Sequence, residues 1–276
     1  MVKKVVKLML VGMLIMGLMV SAVGCGGQAK EEPQTPADKQ TQEQAQTEKK
    51  PVLLVGSETT YPPFEMANEK GEYVGFDMDL IKAIAAAEGY DVKVSTLGFD
   101  ALIPALKADK VDCVISAMSI RPDRLESVDF SDPYFNAGLI VAVQKNTEGI
   151  NSREDLKGKK LAAEVATTGL AASQEIKAKD PKTEIKIFDA VGEAFMELEK
   201  GGVDAVINDM PVTDYYIKTT GKDKVKMVGE VFSATDKYGI AVQKGDTKTL
   251  EIINSGLKKV KDSGDYDKIY KTWFEK

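Results

Sequence analysis

The sequence of 276 residues contains no histidine. Without histidine, neither a Ser-His-Asp nor a Cys-His catalytic centre can be assembled, and the commonest transition-metal ligand is missing. The sequence also has no GxGxxG or GxxxxGK[ST] loop of the kind that cradles phosphates. We therefore expect no histidine-based catalytic centre, no cofactor and no metal ion.

Cysteine is scarce as well, with two residues in the chain. Cys113 lies within the apolar run 111–115 and is expected to be a small core residue. Cys25 follows an apolar leader, and if it is modified no intrachain disulfide is available. The formal net charge is −6, and an acidic protein lacks the basic face that nucleic acid requires. No nucleic-acid partner is expected.

The N-terminal segment has the pattern of an export signal. Lys3, Lys4 and Lys7 precede the apolar run 8–23, which ends in small residues. The Val-Gly-Cys ending resembles a bacterial lipobox, so residues 1–24 are predicted to be a lipoprotein signal peptide and Cys25 the site of lipidation, palmitate included. A transmembrane anchor is the alternative, because the run is close to the length needed to span a bilayer.

Residues 25–50 are rich in Gln, Glu, Lys, Thr and Ala and contain no aromatic residue. Such a composition cannot bury enough apolar surface to order itself, so a disordered tether is predicted. Strands and helices then alternate through the rest of the chain, which indicates an α/β fold with mostly parallel sheets. In this pattern Asp77 is expected to cap the helix that follows it.

Two similar apolar strands, 138–144 and 238–244, bracket a complete α/β unit. We expect two α/β lobes joined by a two-strand hinge, with a cleft between them. Lobe 1 is predicted to comprise 51–137 plus 241–276. Lobe 2 is predicted to be inserted at 142–236, with the hinge near 137–142 and 236–241.

A small polar loop, 116–119, follows the apolar run 111–115, and Arg124 comes one turn later. Loops at the carboxyl ends of strands are where α/β folds bind ligands, and a guanidinium matches a carboxylate bidentately. Residues 195–210 repeat 103–118 at an offset of 92, with Leu, Val, Asp, Val, Ile and Met in place. Chance is the alternative to a repeated unit. Asp209 would then offer an ammonium partner from the second copy.

Nine motifs in order carry a family resemblance: TTYPPFE, GFDMDLIKAIA, FDALIPAL, SAMSIRPDR, VDFSDPY, DLKGK, TTG, VDAVIND and YGIAVQKGD. The chain from 52 to 276 resembles the extracellular solute-binding proteins (family 3) of polar-amino-acid ABC transporters. The resemblance implies the periplasmic-binding-protein-like fold of type II. It also implies a monomer that captures an amino acid and delivers it to the transporter's permease subunits.

The resemblance also assigns roles to single residues. Tyr61 and Phe99 match the aromatic residues that sandwich the ligand side chain. Arg124 and Asp209 match the partners of the α-carboxylate and the α-ammonium. The other matching positions are Glu58, Ser116, Ala117, Met118, Ser119, Glu164, Thr167 and Thr168.

Two positions depart from the family pattern, in which Gln precedes a Gly-Thr-Thr-Gly loop: Glu164 replaces the Gln and Ala166 the first Gly. Glu164 is either an exposed carboxylate without a role or, with Glu58, part of an acidic pocket for a guanidinium or ammonium group. The first reading leaves glutamine as the ligand, and the second favours arginine or lysine.

Two other classes of protein fit the motifs less well than a binding protein does, so the protein is not expected to be an enzyme. A dehydratase on the same scaffold is the remote alternative, since such relatives exist, but they alter the ammonium site. A receptor sensor domain would need a cytoplasmic module, which the sequence is not expected to carry. With its lipid anchor, the protein is expected at the extracellular face of the bacterial cytoplasmic membrane, on the periplasmic side if the organism has an outer membrane.

Overall fold

The computed structural model describes residues 50–233 and 236–275. The predicted signal peptide, the lipidation site Cys25 and nearly all of the tether lie outside these residues. The first half of the described chain contains the strands β1 (Val52–Ser57), β2 (Thr60–Tyr61), β3 (Glu65–Ala67), β4 (Tyr73–Val74), β5 (Asp91–Thr96), β6 (Cys113–Val114), β7 (Val128–Phe130) and β8 (Phe135–Asn136). Its helices are α1 (Phe76–Ala87), α2 (Phe99–Lys107) and α3 (Pro122–Leu125).

The second half contains the strands β9 (Leu139–Gln144), β10 (Lys160–Glu164), β11 (Glu184–Phe188), β12 (Ala205–Asp209), β13 (Val225–Phe232), β14 (Lys237–Tyr238) and β15 (Ala241–Gln243). Its helices are α4 (Thr168–Lys179), α5 (Val191–Glu199), α6 (Met210–Thr219), α7 (Thr247–Asp262) and α8 (Asp265–Phe274), and a 3₁₀ turn spans Arg153–Leu156.

Two five-stranded sheets organise these elements, one in each lobe. Their strand orders are β5-β1-β6-β15-β7 and β11-β10-β12-β9-β13. In each sheet the first three strands are parallel, and the fourth strand, β15 or β9, runs antiparallel to both of its neighbours, so that four of the five strands point the same way. The sheets are therefore mostly parallel in strand direction with one reversed strand, because the segment that follows each crossing between lobes returns as an antiparallel strand.

The two lobes repeat one unit at the spacing that the sequence shows. α5 begins 92 residues after α2, and β12 begins 92 residues after β6. β6 pairs in parallel with β1, and β12 pairs in parallel with β10. This agreement in structure favours a repeated supersecondary unit over chance similarity.

A short antiparallel pair links the lobes: β8 pairs with β14 through Asn136–Lys237 and Phe135–Tyr238. The strand β9 that follows β8 belongs wholly to the second sheet. The fold is thus two α/β lobes joined by a two-strand hinge, as predicted, whereas the limits proposed for each lobe stay a prediction.

Two residues of the hinge strands, Phe135 and Tyr238, belong to an aromatic cluster that also contains Phe64, Phe76 and Phe274. The ring centroid of Phe64 lies 4.9 to 6.0 Å from the centroids of the other four rings. The cluster ties the C-terminal helix α8 to the first lobe. Among the residues that the structure describes, no helix is both long enough and apolar enough to cross a bilayer.

The start of α1 differs from the prediction. Its N-cap is Gly75, not Asp77. Gly75 has φ 137°, and a Cβ at this position would lie 2.0 Å from the Phe64 carbonyl oxygen, so only glycine fits. Asp77 is fully buried instead, and its carboxylate accepts hydrogen bonds from the Ala117 N–H and the Tyr134 hydroxyl.

Candidate functional site

Arg124 is held at the mouth of the 116–119 loop by the one-turn helix α3. Its Nη1 donates to the Ser119 carbonyl at 2.8 Å, and its guanidinium lies 5.2 Å from the centroid of the Phe99 ring. Burial lowers the pKa of Arg124 to about 10, so the side chain remains a cation at neutral pH. A buried, protonated guanidinium beside the loop's backbone can receive a carboxylate.

Across the cleft, the second lobe contributes the loop between β10 and α4. Thr167 caps α4 by accepting from the Leu170 N–H at 3.2 Å, and its hydroxyl donates to the Glu164 carbonyl at 2.7 Å. Gly169 packs so close to β12 that a Cβ would lie 2.2 Å from the Ile207 carbonyl oxygen. In the TTG sequence, Thr167 therefore serves as the helix cap, and Gly169 allows the close approach of the backbone to β12.

Ala166 occupies the position where the family pattern has glycine, and it adopts the left-handed φ of 60°. Its carbonyl accepts from Arg124 Nη2 at 2.9 Å. The backbone conformation that the glycine would permit is thus kept, at a conformational cost of ~1 kcal/mol for the alanine side chain.

Asp209 ends β12 and is buried, with 5% of its surface exposed. Its Oδ2 accepts from the Tyr61 hydroxyl at 2.6 Å, and its Oδ1 has no hydrogen-bond partner among the described residues. Burial raises the pKa of Asp209 to about 6, which leaves the carboxylate mostly ionised at neutral pH. The free oxygen can accept a hydrogen bond from an ammonium group.

Glu58 and Glu164 meet across the cleft. Both are buried, with 4% and 2% exposure, and Glu58 Oε2 and Glu164 Oε1 have no hydrogen-bond partner among the described residues. Burial, and then the negative charge of Glu58, raise the pKa of Glu164 to about 10, and burial also raises the pKa of Glu58. Glu164 therefore carries a proton at neutral pH. Its burial excludes the interpretation of Glu164 as an exposed carboxylate.

The cleft itself is lined by Tyr61, Phe99, Ala117, Ser119, Arg124, Glu164, Thr167, Thr168 and Asp209. All nine were predicted from the sequence to bind the ligand. The space open to the centre of a water-sized sphere is about 10 Å³, room for roughly one water molecule. An amino acid can enter only if the two lobes move apart.

Three of the residues predicted to bind the ligand do not line the cleft. The Ser116 hydroxyl accepts from the Glu58 N–H at 2.9 Å and donates to Glu65 at 2.8 Å. Met118 is 1% exposed and belongs to the apolar cluster around Phe99. Glu58 reaches the cleft through its contact with Glu164. Their roles as ligand contacts stay a prediction.

Other polar residues near the cleft were not predicted. Asn208 accepts from the Tyr61 hydroxyl at 2.8 Å, and Arg121 reaches the Thr167 carbonyl at 3.4 Å. Asn208 precedes Asp209 in the motif VIND, and Arg121 lies between Ser119 and Arg124 in the motif SIRPDR. Their nearness to predicted residues was the feature of the sequence that could have identified them. Glu65 and Asp77 lie beneath the loop, where no sequence pattern distinguishes them from surface acids.

The fold and the geometry of the cleft define a class of ligand-binding protein, and sequence comparison names it. The chain belongs to the bacterial extracellular solute-binding proteins, family 3, matching the family over residues 53–276.

A relative from Neisseria gonorrhoeae, named a probable histidine-binding protein, is 38% identical over 227 residues, covering 82% of this chain and 84% of the relative. Among solved structures, an ancestral arginine-binding protein bound to arginine is 46% identical, with a TM-score of 0.78, over 81% of this chain and 98% of that one. An ancestral arginine-binding protein bound to glutamine gives 45% identity and a TM-score of 0.77, over 82% and 98% of the two chains.

Proposed function

We propose that the protein binds a basic amino acid, arginine or lysine, in the cleft between its lobes and delivers it to the permease of an ABC transporter. The observation that supports this ligand is the pair of buried carboxyl groups, Glu58 and Glu164. They come from different lobes and meet where the lobes come together.

Among the residues that the structure describes, this acidic pair has no cationic partner. Arg124, the guanidinium that lines the cleft, donates to the carbonyl oxygens of Ser119 and Ala166 rather than to either carboxylate. Two carboxylates buried without a counter-ion are costly unless one is protonated. A guanidinium or ammonium from the ligand supplies the missing positive charge, and a guanidinium can bond both carboxylates.

The α-amino and α-carboxylate groups have their own partners. Arg124 and the backbone of the 116–119 loop suit the carboxylate, and the free Oδ1 of Asp209 suits the ammonium. Tyr61 and Phe99 flank the cleft, where aromatic faces attract a cationic side chain. The groups of an α-amino acid with a basic side chain are all matched in charge.

The proteins that this chain resembles support a role in transport rather than in catalysis. The named relatives are binding proteins, and the residues of the cleft offer paired charges without the histidine-based machinery of hydrolases. We infer a monomer, held by lipidated Cys25 at the extracellular face of the membrane, with permease subunits as its partners. Radiolabelling with palmitate in wild-type and Cys25→Ala cells tests the anchor.

Glutamine is the second candidate, because one of the similar solved structures is an ancestral arginine-binding protein bound to glutamine. A ligand screen by thermal shift against the twenty amino acids, followed by calorimetric titration of the hits, tests the proposal. A ligand at 100 times its Kd stabilises the folded state by ~2.7 kcal/mol. Arginine or lysine should bind at least tenfold tighter than glutamine, and tighter glutamine binding would reject the basic ligand.

A further inference from the structure

A second pair of buried carboxyl groups, Glu65 and Asp77, lies beneath the 116–119 loop. Glu65 belongs to β3 and Asp77 to the first turn of α1, and both have 0% exposure. Neither lines the cleft, so neither is needed as a direct contact to the ligand.

Each carboxyl group holds one residue of the loop. Asp77 Oδ2 accepts from the Ala117 N–H at 2.7 Å, and Glu65 Oε1 accepts from the Ser116 hydroxyl at 2.8 Å. Ser116 in turn accepts from the Glu58 N–H at 2.9 Å. The chain of contacts therefore runs from the buried pair to the loop and onward to the acidic residue at the cleft.

The loop conformation needs this support. Ala117 has φ 43°, in the left-handed region that a residue with a Cβ occupies at a cost of ~1 kcal/mol. The bond to Asp77 fixes the amide of this strained residue, and the adjacent Ser119 carbonyl holds Arg124. If Ala117 relaxed, the backbone presented to the carboxylate would change.

The remaining oxygens of the pair, Glu65 Oε2 and Asp77 Oδ1, have no hydrogen-bond partner among the described residues, and the charge of Asp77 acts on Glu65. Two buried carboxyl oxygens can satisfy each other only if one of them carries a proton. Burial, followed by the charge of Asp77, raises the pKa of Glu65 well above its ordinary value. Burial raises the pKa of Asp77 to about 7, against bonds from Ala117 and Tyr134 that lower it.

Within the described part of the chain, no cationic group faces the pair. The ionisable groups that face the pair are Glu58 after β1, Tyr134 before β8, Tyr238 on β14 and Tyr266 on α8. All are acids or phenols. Removing the shared proton would leave two adjacent negative charges in an apolar site, which a buried pair avoids by moving apart.

We propose that Glu65 and Asp77 are positioning residues that share one proton and thereby hold the 116–119 loop in the conformation that binds the ligand's α-carboxylate. This inference rests on the proposed amino-acid-binding function. Loss of the proton at alkaline pH would separate the carboxyls, release Ser116 and Ala117, and weaken binding.

Glu65→Gln provides the test, because a glutamine amide can accept from Ser116 as Glu65 does, can donate to Asp77, and cannot ionise. Its Kd should lie within threefold of the wild-type value at pH 6. As the pH is raised to 10, the wild type should lose at least tenfold in affinity relative to Glu65→Gln. Taking the ratio of the two Kd values at each pH removes the titration of the ligand and of the cleft carboxyls, which both proteins share.

Glu69→Gln, an exposed position between β3 and β4, is the matched control and should follow the wild type at every pH. Glu65→Ala should lose at least tenfold at pH 6, so that the contrast with Glu65→Gln shows rescue by the isosteric side chain. A constant Kd ratio from pH 6 to 10, in a wild type that binds amino acids, overturns the inference while leaving the proposed function intact.

The wild-type protein alone gives a second measurement if the variants do not fold. The amide proton of Ala117 should show a chemical-shift titration as the pair loses its proton, whether or not any ligand binds. An Ala117 shift that is unchanged up to pH 10 overturns the inference. Failure of the wild type to bind any amino acid instead overturns the proposed function, and the Ala117 titration still decides the positioning role.

Discussion

Arginine binding is predicted to release about one proton at pH 7, and Glu164→Gln is predicted to abolish that release. Burial and the neighbouring Glu58 charge hold the pKa of Glu164 at about 10, so the cleft pair keeps a proton at neutral pH. A guanidinium between the two carboxylates would take the place of that proton. The affinity for arginine should therefore rise with pH, by up to tenfold per pH unit between the bound and free pKa values of Glu164.

Hydrogen bonds from the ligand's guanidinium are strong enough to ionise Glu164. To ionise Glu164 fully at pH 7, its pKa must fall from about 10 to below 7, which corresponds to about 4 kcal/mol. Hydrogen bonds to charged groups contribute ~1.5–3 kcal/mol each, and a guanidinium can donate several to the two carboxylates. Glutamine carries no charge to replace the proton, so its binding should release almost none.

Calorimetric titration in buffers of different ionisation enthalpy measures the number of protons released. Glu193→Gln is the matched control, because this exposed residue begins the same helix whose Val191 N–H bonds Glu164 at 2.9 Å. Glu193→Gln should release the wild-type number of protons. Arginine binding without proton release in the wild type, or equal release by Glu164→Gln, would refute the reasoning.

Arg124→Ala should weaken binding of every amino acid by ~2–5 kcal/mol, since it truncates a charged partner in a buried site. Arg153→Ala, whose side chain pairs with Glu175 at 2.6 Å away from the cleft, should stay within threefold in the same calorimetric titrations. Asp209→Asn should weaken α-amino acids sharply and their des-amino analogues little, and equal losses for both ligand classes would make Asp209 a structural residue. Ala166→Gly should stabilise the protein by up to ~1 kcal/mol by relieving the φ of 60°, whereas Ala171→Gly within α4 should destabilise it by a similar amount in chemical denaturation.

Much of the fold was predictable because its signals are local. The alternation of apolar strands and amphipathic helices defined the α/β class, and the repeat at an offset of 92 anticipated the match of α2 and β6 with α5 and β12. The reversed strand in each sheet, β15 or β9, was not predicted. Its direction depends on where the chain returns after crossing between lobes, which no local pattern encodes.

The lining of the cleft was predicted more fully than its supports. Arg124 and Asp209 follow apolar strands within recognisable motifs, so their positions at strand ends could be inferred. Asp77 was misassigned as a cap because an acid at the start of a helix usually serves that purpose. Its burial depends on Gly75, which lets the chain approach Phe64 closely, and on long-range contacts with Ala117 and Tyr134.

At position 164 the chain has Glu where the family pattern has Gln, and the surrounding fold contains a group that stabilises the ionised carboxylate. Its Oε2 accepts from the Val191 N–H at the start of α5, and the N-terminus of a helix favours a negative charge. Its Oε1 has no hydrogen-bond partner among the described residues, and the charge of Glu58 acts on it. The contacts of Oε2 thus stabilise the ionised form of Glu164. The charge of Glu58 and the burial of the side chain disfavour ionisation. A cation in the cleft removes that resistance, so the substitution of Gln by Glu at this position creates a charge that is present only when a basic ligand is bound.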